Sequence, residues 1–386
     1  MKKEEHWAIF IDNASGTKEF IDELIAGNVP TFIALKGLQG ALFSKLTLIQ
    51  LIDEESRHGK SGITYERQQS LQSMSSGEQK KVLLDHLLRS KPDFLVLYNP
   101  FDNLDVQFLK AFRKQLSHIS ENITIIQIIS RKDDLLPFIT RYAKLVGDTL
   151  VGLTSLRSLM PSEPKQPFTD KIPLPLKPTS YAKDTLITLK NVNVSYNEKP
   201  VLKNIFWEIG KGEFWELSGN NGSGKTTILS MITGENPKGY GQELYLFGHK
   251  KGSGESVWDI KKNIGYFTPS MTDTFTGYHS LEHMMISGIL DSVGLYVRPT
   301  EAQLRLAKAW LQLIGMWHLK DTHFHDLTLG QKRLVMTTRA MVKHPPLLLL
   351  DEPTVGLDDT SAALLVSLVN KIAKESKTSI IYVSHR

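Results

Sequence analysis

The sequence predicts an α/β protein made of two domains in tandem, each built on a largely parallel sheet. Three observations lead to this prediction. The chain has 386 residues, more than one hydrophobic core usually organises. Short β-branched apolar runs alternate with amphipathic helical windows on both sides of a proline-rich stretch. Finally, three segments of the first half recur in the same order in the second half.

The proline-rich stretch sets the expected domain boundaries. Prolines and polar residues dominate 161–184, which has almost no periodic apolar pattern, so we expect an extended linker there. One domain is therefore expected over 1–160 and a second over 185–386.

The repeats indicate that the two domains arose by duplication and then diverged. The matching pairs are the segments near 40 and near 220, 73–105 and 327–358, and 123–131 and 378–386. Three matches in one order are hard to attribute to chance. Each domain should therefore contain the same elements in the same sequence.

Composition excludes several kinds of chemistry. The chain has no cysteine, which excludes disulfides, thiolate zinc sites, iron–sulfur clusters and cysteine nucleophiles. A net charge of +5 does not indicate nucleic acid as a partner. No run of eighteen apolar residues occurs, and the first residues lack a signal-peptide core. We expect a cytoplasmic protein that is peripheral at the inner membrane if it acts there.

A glycine-rich loop in the second half matches G-x-x-x-x-G-K-[ST] at every position. Its glycines let backbone N–H groups turn inward around phosphate oxygens, and the helix beginning at Lys225 adds its positive end. Lys225 would neutralise the β- and γ-phosphates, and the Thr226 hydroxyl is a hard ligand for Mg²⁺. The expected nucleotide contacts are Gly219, Asn220, Asn221, Gly222, Ser223, Gly224, Lys225, Thr226 and Thr227.

Two carboxylates follow the apolar run 347–350. Asp351 is placed to hold Mg²⁺ directly or through water, and Glu352 to accept a proton from an attacking water. An isolated Asp-Glu pair is usually a solvated turn. The preceding leucines and the upstream phosphate loop favour the catalytic interpretation.

The order of these motifs resembles that of the ATP-binding cassette ATPases, across both halves. The motifs are the phosphate loop, Leu327-Thr328-Leu329-Gly330-Gln331, DEPTVGLD and a terminal VSH. The resemblance implies P-loop domains that bind ATP and Mg²⁺ and hydrolyse ATP. It implies that Tyr196 stacks on adenine, although a plain strand tyrosine is the alternative, and that His385 reads the γ-phosphate.

The second half departs from the family in two places. Thr268, Pro269 and Ser270 follow the strand IGYF where the family usually has a glutamine. The chain also stops one residue after His385, where the family would be expected to continue, so its end looks truncated.

The first half lacks the residues expected to bind phosphate and to hydrolyse ATP. Aligning Gly37 with Gly219 places Phe43 at the lysine of the phosphate loop and leaves Ser44. Tyr98-Asn99 stand in place of the Asp-Glu pair, and Arg131 in place of the histidine. This half is therefore expected not to hydrolyse ATP by itself.

The first half nevertheless retains a nearly intact signature, Ser75-Ser76-Gly77, whereas Leu329 interrupts the second copy. In the family two cassettes pair head to tail, and each signature covers the other phosphate loop. The resemblance therefore implies that the cassettes pair within the chain and that Ser75, Ser76 and Gly77 contact the ATP held by Lys225. The alternative is that Ser75 and Glu78 only cap a helix.

Two functions from different classes remain open. The first is the ATP-binding subunit of a transporter with a separate membrane permease. The second is a soluble ATPase acting on nucleic acid or ribosomes, which the short proline-rich linker disfavours. A third, non-catalytic role is disfavoured by Glu352 and His385. Helical windows near 300–315, absent from the first half, correspond to the subdomain that docks on membrane subunits in family members.

Overall fold

The computed structural model of the chain describes residues 5–13, 16–58, 70–102, 104–156, 168–177, 181, 183–275 and 278–384. It divides into two compact units. The first contains Met1–Glu163 with Gly356–Thr360, and the second contains Pro164–Val355 with Ser361–Arg386. Among the described residues, no helix combines the length and the apolar character needed to cross a bilayer.

The first half of the chain forms one six-stranded sheet flanked by helices. Its sheet order is β2-β3-β4-β1-β5-β6, parallel from β2 to β5, with β6 antiparallel. The strands are β1 Trp7–Phe10, β2 Gly40–Phe43, β3 Phe94–Tyr98, β4 Thr124–Ile129, β5 Arg141–Val146 and β6 Thr149–Leu153. The helices are α1 Thr17–Ile25, α2 Lys45–His58, α3 Ser76–Arg89 and α4 Val106–Ile119.

The central strands of this sheet are buried on both faces because helices cover both. The side chains of β3 alternate between two buried clusters, with Leu95 and Leu97 in one and Phe94 and Val96 in the other. A continuous apolar run, rather than an alternating one, is the pattern expected of such a parallel strand.

The second half of the chain has two four-stranded sheets. The antiparallel sheet has the order β11-β10-β7-β8, and the parallel sheet the order β12-β13-β14-β9. The strands are β7 Thr185–Tyr196, β8 Lys199–Gly210, β9 Phe214–Ser218, β10 Glu243–Leu246, β11 His249–Lys250, β12 Ile264–Phe267, β13 Leu347–Asp351 and β14 Ser379–Ser384. The helices are α5 Lys225–Ile232, α6 Val257–Lys261, α7 Ser270–Thr274, α8 Leu281–Ile289, α9 Glu301–Leu313, α10 Leu329–Met341 and α11 Asp359–Glu375.

The strand orders show which elements of the halves correspond. Four neighbouring parallel strands follow the same order in the two halves, β2-β3-β4-β1 in the first and β12-β13-β14-β9 in the second. Strand β2 therefore corresponds to β12, β3 to β13, β4 to β14 and β1 to β9. The strand that leads into the phosphate loop is β9, and its counterpart is β1, not β2. The prediction that Phe43 occupies the position of the phosphate-loop lysine is therefore wrong.

Helix α1 follows β1 as α5 follows β9, so Thr17 takes the position of Lys225 and Lys18 that of Thr226. The lysine is missing here too, and the backbone differs. Gly16 before α1 has a φ of −70°, whereas Gly224 before α5 has a φ of +95°. Phe43 instead ends the strand that corresponds to β12, where its ring packs 5.6 Å from that of Phe112.

Candidate active site

The glycine-rich loop connects β9 to α5, at the carboxyl end of the parallel sheet. Helix α5 begins at Lys225, as the sequence predicts. Gly222 and Gly224 have φ values of +77° and +95°, which L-residues other than glycine rarely adopt. A Cβ on Gly224 would also lie 2.6 Å from the Leu202 Cδ2 atom. The loop therefore requires glycine at this position for two independent reasons.

The Lys225 side chain is 8% exposed and folds back over the loop. Its Nζ donates hydrogen bonds to the carbonyl oxygens of Gly219 and, at 3.0 Å, Asn220. Burial lowers the pKa of Lys225, while the carboxylates of Glu352 and Asp351 act in the opposite direction. Strands β9 and β13 both pair in parallel with β14, so the loop that follows β9 and the carboxylates that end β13 lie at the same edge of the sheet.

The carboxylates follow the buried strand β13, which ends at Asp351. Glu352 has a φ of +52°, and its N–H donates to the Val383 carbonyl oxygen at 3.1 Å. The left-handed turn is thereby fixed to β14. The Thr226 hydroxyl and the Asp351 carboxylate are hard oxygen donors that suit Mg²⁺, a cation that takes one or two protein ligands with substrate phosphates and water. The residues present therefore fit this cation.

Tyr196 ends β7, immediately before a tight two-residue turn. Asn197 and Glu198 both have positive φ, the requirement of a type I′ hairpin. The Tyr196 side chain is 43% exposed, and its hydroxyl accepts a hydrogen bond from Asn236 Nδ2 at 3.0 Å. Lys238 Nζ lies 5.9 Å from the ring centroid. An aromatic ring held at the end of a hairpin can serve as a stacking surface.

The signature residues begin α3, as their capping pattern predicts. Ser75 is the N-cap, and it forms a capping box with Glu78. Ser76 is the first residue of the helix. Gly77 is buried, and a Cβ there would lie 2.8 Å from the Phe108 ring. Local structure thus accounts for Ser75 and Gly77 by itself, and their contact with ATP stays a prediction.

The counterpart of the carboxylates in the first half keeps their backbone. Asn99 follows β3, has a φ of +41°, and donates its N–H to the Ile128 carbonyl oxygen at 2.9 Å. Ile128 corresponds to Val383, so Ser130 corresponds to His385. The assignment of Arg131 to the histidine position is therefore wrong by one residue. The Ser130 N–H donates to Asn99 Oδ1 at 3.1 Å.

His385 lies outside the described residues, so its predicted role stays untested. In the position of the missing glutamine, Thr268 and Pro269 lead directly into α7. Sequence reasoning missed Asn236 and Lys238, which contact Tyr196. No motif marks them, because their role depends on the hairpin lying beside the segment that follows α5.

Comparison with known proteins agrees with this geometry. The family model described as "ABC transporter" matches residues 202–355. The "ABC transporter ATP-binding protein ModF" of Escherichia coli (strain K12) is 36% identical over 340 residues, covering 84% of this chain and 69% of that protein. The chain belongs to the ATP-binding cassette family. As an ABC-type ATPase it binds and hydrolyses ATP.

Two further relatives cover most of the chain. An "Uncharacterized ABC transporter ATP-binding protein C323.04" of Schizosaccharomyces pombe is 29% identical over 329 residues, covering 82% of this chain and 66% of that one. The solved complex of archaeal ribosomal stalk protein aP1 with archaeal ribosome recycling factor aABCE1 matches 99% of this chain and 80% of its own, with a TM-score of 0.60 and 17% identity. At that identity the likeness concerns the fold alone.

Proposed function

We propose that this ABC ATPase hydrolyses one Mg²⁺-bound ATP per chain, at a site whose catalytic residues come from the second half. One observation carries the proposal: β9, which leads into the loop that ends at Lys225, and β13, which ends at Asp351, both pair in parallel with β14, so the loop and the two carboxylates follow the same edge of one sheet. Phosphate binding and proton acceptance therefore meet at the carboxyl ends of β9 and β13.

Each group has a distinct role in this proposal. Lys225 exchanges the carbonyl oxygens that it now contacts for the β- and γ-phosphate oxygens of ATP, where its charge is neutralised better. Thr226 and Asp351 would hold Mg²⁺, which supplies charge neutralisation at the phosphates when bound. Glu352 accepts the proton of the attacking water, and His385 orients that water. Tyr196 stacks on adenine.

We further propose that Ser75, Ser76 and Gly77 complete this site by donating hydrogen bonds to the γ-phosphate. Ser75→Arg then lowers kcat about a hundredfold, because bulk and charge prevent close approach. The matched control is Thr328→Arg, which removes the N-cap of α10 in the same way. If Ser75 only caps α3, both variants lose about 1 kcal/mol of stability and keep their turnover. Measuring kcat with the melting temperature for both separates these outcomes.

The proposed biological role is that of the ATP-binding subunit of a transport system with a separate permease. Helices α8 and α9 support it, since they belong to the segment that docks on membrane subunits in the family. Beside them Tyr278 is 80% exposed, and its ring lies 5.5 Å from that of His323 and 5.3 Å from that of His325. The Escherichia coli relative, named an ABC transporter ATP-binding protein, points the same way.

Photo-crosslinking in cells tests this role. A benzophenone amino acid at Tyr278 should capture a membrane protein that only detergent extracts. The same probe at Tyr240, which is 57% exposed elsewhere in the second half, should not. Capture of ribosomal proteins or nucleic acid at Tyr278 would favour the soluble ATPase instead.

A further inference from the structure

The side chain of Asn236 is buried beneath the tip of the β7–β8 hairpin. It is 7% exposed and uses its amide at three positions. Nδ2 donates to the Tyr196 hydroxyl and to Ser230 Oγ, both at 3.0 Å, and Oδ1 accepts from the Lys238 N–H at 3.0 Å. These three hydrogen bonds fix the orientation of the Asn236 side-chain amide.

These contacts also fix the direction of the hydrogen bond to Tyr196. The backbone N–H of Lys238 can only donate, so the amide atom facing it must be the oxygen. The amide nitrogen then faces Tyr196, and the phenolic oxygen accepts. The ring of Tyr196 is thus held from its polar end, by a hydrogen bond that does not involve the faces of the ring.

The ammonium group of a lysine side chain also contacts the Tyr196 ring. Lys238 Nζ lies over the Tyr196 ring, 5.9 Å from its centroid, and the Lys238 side chain is exposed. This cation–π contact takes up one face. A base stacking on Tyr196 would use the opposite face, so Asn236 and Lys238 together define the side from which it enters.

Asn236 is itself connected rigidly to the phosphate loop. Its N–H donates to the Ser230 carbonyl oxygen at 3.0 Å, inside α5, the helix that begins at Lys225. Eight helical residues span about 12 Å, and a helix of that length hardly bends. The Asn236–Tyr196 hydrogen bond therefore links the Tyr196 ring to the phosphate loop, in addition to the close approach of Leu202 in β8 to Gly224.

We propose that Asn236 is a positioning residue, which sets the Tyr196 ring at the distance from the phosphate loop that an adenine nucleotide requires. This inference rests on the proposed stacking of Tyr196 on adenine. The buried amide of Asn236, which belongs to no recognisable motif, would then couple recognition of the base to binding of the phosphates.

The test compares the binding of ATP with that of inorganic tripolyphosphate, which has the phosphates but no base. Tyr196→Phe keeps the ring and removes the hydrogen bond, and Asn236→Ala removes the anchor. Both should weaken ATP binding about three- to tenfold and leave tripolyphosphate binding unchanged. The double variant should bind ATP no more weakly than the weaker single variant.

Two further variants make the test specific. Asn236→Asp should weaken ATP binding less than Asn236→Ala, because the Tyr196 hydroxyl can rotate and donate to the carboxylate, although the Ser230 hydroxyl already donates to the Thr227 carbonyl oxygen. Asn193→Ala, in the same hairpin but away from Tyr196, removes the acceptor of the Asn204 N–H and should leave ATP binding unchanged. Isothermal titration calorimetry gives all the affinities, and thermal melting confirms that each variant is folded.

The outcomes separate this inference from the proposed function. If Tyr196→Ala weakens ATP binding and Asn236→Ala does not, the anchor has no positioning role. If Asn236→Ala weakens ATP and tripolyphosphate binding equally, Asn236 acts through α5, and the inference is overturned. If Tyr196→Ala itself leaves ATP binding unchanged, the stacking role fails, whatever Asn236 does.

Discussion

His344 should make the second unit lose stability in mild acid. This residue follows α10 with a φ of +52°, and it lines a cavity of about 470 Å³ beneath the proline-rich segment 172–175. Burial lowers its pKa to about 4, only partly offset by a hydrogen bond to Pro173. The ring lies 5.7 Å from that of Trp310, and within the part of the chain that the structure describes its Nε2 has no hydrogen-bond partner. Charging the ring therefore leaves a cation poorly solvated.

The sign follows from proton linkage. The unfolded chain binds a proton at His344 near pH 6.5, whereas the folded chain binds it only near pH 4. The stability that His344 contributes is complete above pH 6.5 and is lost progressively as the pH falls from 6.5 to about 4. Each tenfold change in proton affinity corresponds to about 1.4 kcal/mol, so the loss is at most about 3 kcal/mol. Other charged side chains around the cavity are Lys211, Glu375 and Lys377.

Urea unfolding at pH 7.5 and pH 4.5 measures this loss. Five of the six tryptophans lie in 185–386, so tryptophan fluorescence follows mainly the second half. His344→Asn, which tolerates the left-handed backbone, should flatten the pH dependence by about 2 kcal/mol. His318→Asn, at an exposed position of the same unit, is the control. If wild type and His344→Asn lose equal stability between the two pH values, the reasoning is wrong.

Two further predictions concern the candidate active site. Glu352→Gln should bind ATP with nearly unchanged affinity but lower kcat about a hundredfold or more, because the proposed proton acceptor is lost while the phosphate loop stays intact. Single-turnover kinetics measures this change, and unchanged turnover would remove Glu352 from its role. Gly224→Ala should abolish detectable ATP binding and lower the free energy of unfolding by about 1–3 kcal/mol, because alanine would have a strained φ there and its Cβ would clash with Leu202. Wild-type affinity in calorimetry would contradict this prediction.

The sequence predicts the site more accurately where phosphate binding restricts which residues can occur than where only packing restricts them. The phosphate loop needs glycines and a lysine at fixed spacing, so Lys225 and the start of α5 could be located from the sequence alone. The first half has no such restriction. Its glycines near residue 40 resembled a phosphate loop, although the strand order assigns that position to the segment before Thr17.

Contacts across the fold correct one prediction and supply what the sequence could not. The register of β3 with β4 makes Ser130 the counterpart of His385, rather than Arg131, as the matched segments 123–131 and 378–386 already imply. Asn236 has no local signal at all. Its importance depends on a hairpin about forty residues earlier in the chain, which contacts it only in the folded state.

The left-handed residue after β3 and after β13 has a consequence for how this fold tolerates change. Asn99 has no chemistry to perform, yet it keeps the backbone of Glu352 and the same hydrogen bond to the next strand. The sheet itself therefore requires this turn, and the proposed catalytic role of Glu352 is a separate property of its side chain. Asparagine adopts this conformation with less strain than glutamate. Glu352→Asn should then melt at a higher temperature than the wild type while losing turnover, and that result would mean that the second half of the chain tolerates a less stable turn for the sake of the proposed proton acceptor.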